Sequence, residues 1–365
     1  MKFQAHRDEL SRAIGIAQRA VPSKSTMQIL YTIMIDATRD SIEMTGNNME
    51  LGIRTSAIGF IEEPGRICLD ARMFSEIIRK LPNDDVQIET DEDNKATIKC
   101  GKSVFHIAGK DADDFAELPE VKKGNAIVIG QSQLKRIINQ TIFSISINDS
   151  NRMMTGAYVQ VKGDTLRVVA LDGHRIAIRQ MTLDAPHGDC EAIIPGKTLT
   201  EISRILSDDP ESDVSISFTS NHVLFELGGT TAVSSLISGK YFDIDKMLTD
   251  DYTTVIRADK GHLMSSTDRS LLFTSESDKR PVILNVADDS LNMKIQSPVG
   301  SLSDDIPIEK QGEDLKIGVN PKFLLDVLKV IDTDDVDVYF RGQSTPVYIR
   351  DEEKSYIYMI LPVSI

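Results

Sequence analysis

Asp172 and His174 are the residues of this 365-residue sequence whose types and spacing come nearest to a catalytic pair. An aspartate that orients a histidine could activate one of the many serines as a nucleophile, as in hydrolases. Two such residues at positions i and i+2, here on either side of Gly173, more often form a turn that side-chain hydrogen bonds hold. We therefore interpret the segment as a turn. A hydrolase remains an alternative function, ranked behind the two that are described below.

Other patterns that could bind phosphate or metal are incomplete. Gly196-Lys197-Thr198 resembles the end of a phosphate-binding loop, but Glu191 stands where that loop requires its first glycine. The six histidines show no metal-ligand spacing, and Cys68, Cys100 and Cys190 are odd in number and far apart. We expect buried thiols in a reducing compartment, no catalytic residue, no metal and no cofactor.

A helix followed by a strand recurs three times, with an offset of 125 residues each time. The helical copies are 71–81, 196–206 and 321–331. Each copy has a basic residue near its start, an acid four positions later and an aliphatic residue at its end, and the acids are Glu76, Glu201 and Asp326. A repeat of this length is the size of a domain, so the sequence predicts three domains at 1–119, 126–248 and 252–365.

The candidate site residues must be positioned by six helices and many short strands. Apolar residues recur at helical spacing in 6–20, 71–81, 131–143, 196–206, 260–270 and 321–331. Alternation of apolar and polar residues predicts strands at 31–35, 42–44, 86–88, 96–98, 104–107, 127–129, 158–161, 166–170, 176–178, 214–218, 223–227, 253–256, 282–286, 291–295, 336–340, 347–349 and 356–360. Because strands outnumber helices and short turns join them, we expect an α+β fold with antiparallel sheets.

The net charge of −15 argues against nucleic acid as a partner, but the charge is unevenly distributed. The six candidate helices carry 14 Lys or Arg against 6 Asp or Glu, a net +8, and the remaining residues carry −23. Helices favour Lys and Arg while turns collect Asp, so this split also has an ordinary explanation. No apolar run is long enough for a membrane helix, and we expect a soluble, cytoplasmic protein with no membrane partner.

The segment Ala170-Leu171-Asp172-Gly173-His174-Arg175-Ile176, the threefold repeat and the terminal Met359-Ile360-Leu361-Pro362-Val363 together resemble the β sliding clamps of bacterial DNA polymerase. The resemblance covers the whole length. It implies three repeated clamp domains, each with two helices packed on antiparallel sheets, and a head-to-tail homodimer that closes a six-domain ring around double-stranded DNA. It also implies a processivity factor without enzymatic activity, which DNA polymerase, the clamp loader and repair proteins bind through short peptide motifs. The alternative is an acidic protein-interaction scaffold that does not act on DNA.

The resemblance further implies three sets of site residues. The pocket for partner peptides would be lined by Met154, Leu171, Gly173, His174, Arg175, Ile176, Phe242, Lys246, Met247, Pro346, Met359 and Leu361. Lys24, Arg72 and Lys197 would face DNA, and the dimer interface would join Leu271 and Leu272 of one chain to Phe105 and Ile107 of the other. We add Lys102 and either Asp304 or Asp305 as predicted charge partners across that interface. Phe242, Lys246 and Gln28 depart from the family, which usually has proline, arginine and proline there. Without the resemblance, the methionines of this set would be interpreted as ordinary core residues.

Overall fold

The computed structural model describes residues 1–38, 40–119, 121, 126–147, 150–274 and 280–365. These residues form two compact units, one of Met1–Lys135 with Glu201–Leu236 and one of Arg136–Thr200 with Ile237–Ile365. The sequence also predicts a turn at 37–40 and a short polar connector between domains at 119–125; Arg39 of the turn and most of the connector lie outside the described residues. No helix among the residues described is long and apolar enough to cross a membrane.

The six predicted helices are confirmed, with ends that differ by a few residues. They are α1 Arg7–Ala17, α2 Ala71–Lys80, α3 Gln131–Asn139, α4 Gly196–Ile205, α5 Lys260–Ser270 and α6 Pro321–Leu328. Side-chain caps begin four of them: His6 accepts from the backbone N–H of Asp8, Asp70 from that of Met73, Asp259 from that of His262 and Asn320 from that of Lys322.

The predicted helices 6–20 and 131–143 are longer than the α-helices that the structure contains. In both, the last residues form a 3-10 turn instead, at Gln18–Ala20 and Ile142–Ser144. At the second position the hydroxyl of Thr141 donates to the carbonyl of Ile137 at 2.8 Å, and so takes a backbone acceptor of the last α-helical turn.

The strands are numbered in chain order. The first twelve are β1 Lys2–His6, β2 Thr32–Asp36, β3 Ile42–Asn47, β4 Leu51–Ala57, β5 Gly59–Glu63, β6 Arg66–Asp70, β7 Asp85–Thr90, β8 Lys95–Cys100, β9 Ser103–Lys110, β10 Ile127–Gly130, β11 Gly156–Leu171 and β12 Arg175–Pro195. The others are β13 Asp213–Phe218, β14 His222–Leu227, β15 Thr230–Ser235, β16 Thr254–Asp259, β17 Val282–Ala287, β18 Ser290–Ser297, β19 Gly300–Gly312, β20 Leu315–Val319, β21 Asp335–Phe340, β22 Val347–Arg350 and β23 Tyr356–Ile360.

Each unit contains one extended sheet. In the first unit the strand order is β10-β13-β14-β15-β4-β3-β2-β6-β9-β8-β7-β1-β5, and in the second it is β11-β12-β23-β22-β21-β16-β19-β18-β17-β20. The pairings of neighbouring strands are antiparallel. The predicted α+β class with antiparallel sheets is therefore confirmed.

Pairs of helices cover one face of the sheet in each unit. In the first unit, Leu10 and Ile14 of α1 and Phe74 of α2 belong to one buried cluster with Ile33 of β2. In the second unit, residues of α5 and α6 form the corresponding cluster with β16 to β23. Burial of these apolar faces is the main source of stability for helices this short.

Seven strands were not predicted: β1, β4, β5, β6, β15, β19 and β20. β5 is largely exposed and lacks the alternation that marks a strand. β19 alternates in burial, but Asp304 interrupts the apolar residues of its buried face, Leu302, Ile306 and Ile308. The segments predicted at 158–161 and 166–170 are instead one long strand, because β11 and β12 continue as a ribbon beyond the rest of the sheet.

Candidate functional site

An apolar cluster lies in the second unit where β11, β12, β23 and β22 run side by side. Its centre follows from the register, in which Leu171 pairs with Ile176, Ile176 with Met359, and Met359 with Tyr348. Paired residues project from the same face of a sheet, so these four side chains form a continuous row. All four are buried. The row supplies an apolar base for the site that the sequence predicted.

Aromatic residues of the segment before β16 cover one side of this cluster. The ring of Tyr241 stacks on that of Tyr158 at 5.0 Å, and the ring of Phe242 meets Tyr241 edge-on at 5.4 Å. The hydroxyl of Tyr158 donates to the carboxylate of Glu191. Burial, together with this hydrogen bond, raises the pKa of Tyr158 to about 12. Tyr158 is therefore a neutral hydrogen-bond donor at physiological pH.

The segment from Asp172 to Arg175 is a turn. The carboxylate of Asp172 accepts from the backbone N–H of His174 at 2.9 Å and from that of Arg175 at 3.1 Å. Gly173 has φ +87, a left-handed conformation that suits glycine. The carbonyl of His174 accepts from the N–H of Leu361 at 2.8 Å, which ties the end of the chain to the turn. Asp172 thus has the contacts of a turn residue, which favours that interpretation over the hydrolase.

Arg175 lies beneath the surface of the site, only 8% exposed. Its guanidinium donates to Asp172 at 3.0 Å, to Asp326 of α6 at 2.7 Å and to the carbonyl of Phe143 at 2.6 Å. The Cζ atom of the guanidinium also lies over the ring of Phe323, 4.4 Å from the ring centre. The side chain that the sequence predicted as a pocket residue therefore connects the turn to α6.

Two apolar residues of the predicted pocket, Met247 and Leu361, form an exposed rim. Met247 is 43% exposed and Leu361 is 36% exposed. The hydroxyl of Tyr348 donates to the carbonyl of Met247 at 3.2 Å and so holds the rim against the row. Lys246 is exposed and pairs with Asp243 at 2.7 Å. The remaining members of the predicted set divide as follows: Met154 and Phe242 pack half-buried on the cluster, Pro346 is half-buried, and Gly173 and His174 are exposed.

The basic residues predicted to face DNA are all exposed. Lys24 lies in the loop before β2, Arg72 in the first turn of α2 and Lys197 in the first turn of α4. In the first unit, Arg72 lines a groove of about 630 Å³ together with Gln28 and Lys110. Solvent can therefore reach all three side chains.

The residues predicted for the dimer interface are also accessible. Phe105 on β9 is 37% exposed and Ile107 is half-buried, while Leu272, in the 3-10 turn after α5, is 76% exposed and Leu271 half-buried. Asp304, a predicted partner of Lys102 in a second chain, accepts within its own chain from Ser266 and Arg269. The second candidate, Asp305, accepts from Asn292 at 2.7 Å.

The patterns rejected at the start have structural explanations. Gly196 begins α4 where a Cβ would lie 2.0 Å from a side-chain carbon of Ile145, so close packing requires the glycine. The described residues contain no group of three or more His, Cys, Asp or Glu that could hold a metal ion. Cys68 and Cys100 are buried, Cys190 is half-buried, and all are free thiols. Burial raises the pKa of Cys68 to about 11, which keeps this thiol protonated.

Several residues of the site were not predicted. The repeat marks Asp326 as the equivalent of Glu76 and Glu201. Nothing in the sequence around Asp326 indicated that it would pair with Arg175, which belongs to another repeat. Tyr241 and Tyr348 had no signal beyond their aromatic character.

Comparisons with known proteins agree along the whole chain. Family models of the DNA polymerase III beta subunit match in order, the N-terminal domain over residues 1–119, the central domain over 128–243 and the C-terminal domain over 245–364. The beta sliding clamp of Staphylococcus aureus is 32% identical, with 100% of this chain and 99% of that protein covered.

Solved structures are similar over the same extent. A crystal structure from Eubacterium rectale, assigned to a DNA polymerase III beta subunit, has a TM-score of 0.96 and 46% identity and covers 100% of this chain and 99% of that one. The DNA polymerase sliding clamp from Bacillus subtilis has a TM-score of 0.96 and 34% identity, with the same coverage.

Proposed function

The chain belongs to the β sliding clamp family, the β subunits of DNA polymerase III, and from this premise we propose that it encircles duplex DNA as a head-to-tail homodimer and tethers the polymerase. Members of the family are processivity factors without catalytic activity. The proposed domains are 1–119, 126–248 and 252–365, here called the N-terminal, middle and C-terminal repeats, and their work on DNA implies a cytoplasmic location.

The observation that carries the proposal is a strand pairing that occurs twice between consecutive repeats. At the first junction, β15 at the end of the middle repeat pairs with β4 of the N-terminal repeat, with Thr230 opposite Thr55. At the second junction, β23 at the end of the C-terminal repeat pairs with β12 of the middle repeat, with Ile360 opposite Arg175. The last strand of each repeat thus extends the sheet of the repeat before it.

The same pairing would join the N-terminal repeat of one chain to the C-terminal repeat of another. β9 is the last strand of the N-terminal repeat, and in the described part of the chain its residues 103–108 pair only with β8. β19 is the second strand of the hairpin β18–β19, as β4 is of β3–β4 and β12 is of β11–β12, so it is the equivalent strand of the C-terminal repeat. Among the described strands, residues 300–305 of β19 pair only with β18. A second chain would therefore cover two open edges that otherwise invite aggregation.

Leu272 supports the same interface. Phe143 and Leu272 are equivalent, each the middle residue of the 3-10 turn after the first helix of its repeat. Phe143 packs on the core of the C-terminal repeat, with its ring 5.8 Å from that of Tyr358. Leu272 would pack in the same way on the N-terminal repeat of a second chain, and burying such a side chain contributes about 1.5–3 kcal/mol.

Duplex DNA would be held through phosphates alone. Lys24, Arg72 and Lys197 are exposed. Their long, flexible side chains would meet phosphates directly or through water. Contacts of this kind carry no sequence information, so they permit sliding, and the acidic remainder of the surface limits unproductive adhesion to DNA.

Partner proteins would bind at the apolar site of the second unit. A short motif with an aliphatic or aromatic anchor fits the row of Leu171, Ile176 and Met359, with the exposed Met247 and Leu361 closing over it. Polymerase, clamp loader and repair proteins would compete for this one site.

The test is retention of the loaded protein on a nicked circular plasmid in high salt, before and after a single cut. A closed ring stays on the circle and leaves the linear form, because salt screens phosphate contacts but does not open a topological link. Equal release from both forms, in a reaction where a control clamp loads, would favour the acidic scaffold instead.

A further inference from the structure

Residues 243–252 lead from the middle repeat into the C-terminal repeat and carry part of the exposed rim of the partner site. Both ends of this connector pack on the apolar cluster, through the buried Ile244 at one end and the ring of Tyr252 at the other. Between the two ends, Leu248 packs on the cluster, while Met247 beside it is 43% exposed. The connector thus presents an apolar side chain to solvent from a backbone that is packed on both sides of it.

Tyr348 of β22 holds the middle of this connector from beneath. Its hydroxyl donates to the backbone carbonyl of Met247 at 3.2 Å. Burial raises the pKa of Tyr348, although the nearby backbone N–H of Thr249 opposes the rise. The hydroxyl therefore stays protonated at physiological pH and remains a donor. Because Tyr348 is only 2% exposed, a bound peptide would contact Met247 and not this hydroxyl.

Two other side chains hold the connector on either side of Met247. Arg167 of β11 donates to the carboxylate of Asp245 at 2.8 Å, and the hydroxyl of Tyr252 donates to the carbonyl of Thr249 at 2.5 Å. The side chain of Asp245 is 75% exposed, so solvent weakens its ion pair. Contacts therefore reach residues 245, 247 and 249, and the central one is made by a buried hydroxyl.

The position of a rim side chain affects affinity, because a site that is already ordered loses less conformational freedom when a ligand binds. When only a fraction of the molecules has Met247 in the binding position, the apparent dissociation constant rises in inverse proportion to that fraction. The net contribution of one hydrogen bond corresponds to about a threefold to tenfold change in such an equilibrium.

We propose that Tyr348 is a positioning residue of the partner site. Its hydroxyl fixes the backbone of Met247, so that the exposed side chain is already placed to close over the apolar anchor of a partner peptide. The inference rests on the proposed function, since it concerns the site where partner peptides would bind. It adds to that site a residue that sets the affinity without touching the peptide through its hydroxyl.

The test uses the full-length chain and the fluorescein-labelled peptide Ser-Gln-Ser-Leu-Leu-Phe, which carries aliphatic and aromatic anchors and is followed by anisotropy. Tyr348→Phe keeps the ring and removes the hydroxyl. Tyr358→Phe is the matched control, because Tyr358 is next to Met359 in β23 and its ring projects from the opposite face of the sheet, near Phe143. Hydrogen exchange of the free chain over residues 245–249 is the second measurement.

We expect Tyr348→Phe to raise the Kd of the peptide about threefold to tenfold and Tyr358→Phe to leave it unchanged. Exchange over residues 245–249 should become faster in Tyr348→Phe, while exchange in β21 and β23 stays the same. In a Met247→Ala chain, Tyr348→Phe should no longer affect the Kd, because the side chain that it positions is absent. A purely structural role would weaken binding equally with and without Met247.

An unchanged Kd in Tyr348→Phe, an equal loss in Tyr358→Phe, or a loss that persists in the Met247→Ala chain would each overturn the proposal. Unchanged exchange over residues 245–249 would also overturn it, since the backbone would then not depend on the hydroxyl. If the unaltered chain did not bind the peptide, the partner site of the proposed function would be contradicted instead. Faster exchange in Tyr348→Phe would in that case still support the part of the inference that the hydroxyl fixes Met247.

Discussion

Replacing Arg175 by alanine should destabilise the second unit more than any exposed arginine does. The guanidinium is almost fully buried. It donates to the carboxylates of Asp172 and Asp326 and to the backbone carbonyl of Phe143. Removing one partner of a buried ion pair costs about 3–5 kcal/mol, because the other charge stays buried and unpaired. The side chains of Asp172 and Asp326 are 14% and 25% exposed, and water can partly solvate them. We therefore expect the lower end of the range, about 3 kcal/mol.

The assay is urea unfolding of the full-length chain, with Arg257→Ala as the matched control. Arg257 lies in the same unit and pairs with Asp335 at 3.4 Å, but both side chains are more than half exposed. Exposed pairs contribute about 0–1 kcal/mol, so the control should change the free energy of unfolding by less than 1 kcal/mol.

A double-mutant cycle with Asp326→Ala separates the pair from the general effect of truncation. Residues of one ion-pair network couple by about 0.5–3 kcal/mol, and we expect the upper half of this range. A loss from Arg175→Ala no larger than that from Arg257→Ala, or a coupling near zero, would refute the assignment of Arg175 as the residue that anchors the turn to α6.

Two further predictions concern the proposed interfaces. Leu271→Ala combined with Leu272→Ala should give monomers by light scattering, because the exposed Leu272 then loses most of the area it would bury; an undisturbed dimer would move the interface elsewhere. Met247→Asp should abolish capture of a polymerase motif peptide in a titration while the dimer persists, since it places a charge on the apolar rim. Unchanged titration would remove the rim from the site.

Phe242 stands where the resemblance to the family implies a proline. Its ring stands edge-on against Tyr241 and extends the aromatic cover of the cluster. Leu171, Ile176 and Met359 keep their cross-strand register beneath it.

The helices and the repeat were determined by the sequence alone, because their causes are local. Asp70, Asp259 and Asn320 cap helices within three residues of themselves, and apolar residues at helical spacing mark the buried faces. The strands were predicted only where alternation was strong. β5 became a strand because neighbouring β1 satisfies its backbone groups, which no local pattern reports.

Tertiary structure decided whether each side chain of the site is buried, paired or exposed. Met359 and Met247 are the same residue type, yet Met359 is 6% exposed within the apolar row and Met247 is 43% exposed at its rim. Arg175 reads as a surface charge in the sequence, but Asp326, which binds it, is 151 positions away along the chain. Local patterns determine which elements form, and only the packing of distant elements decides which side chains they bury, pair or leave open to a partner.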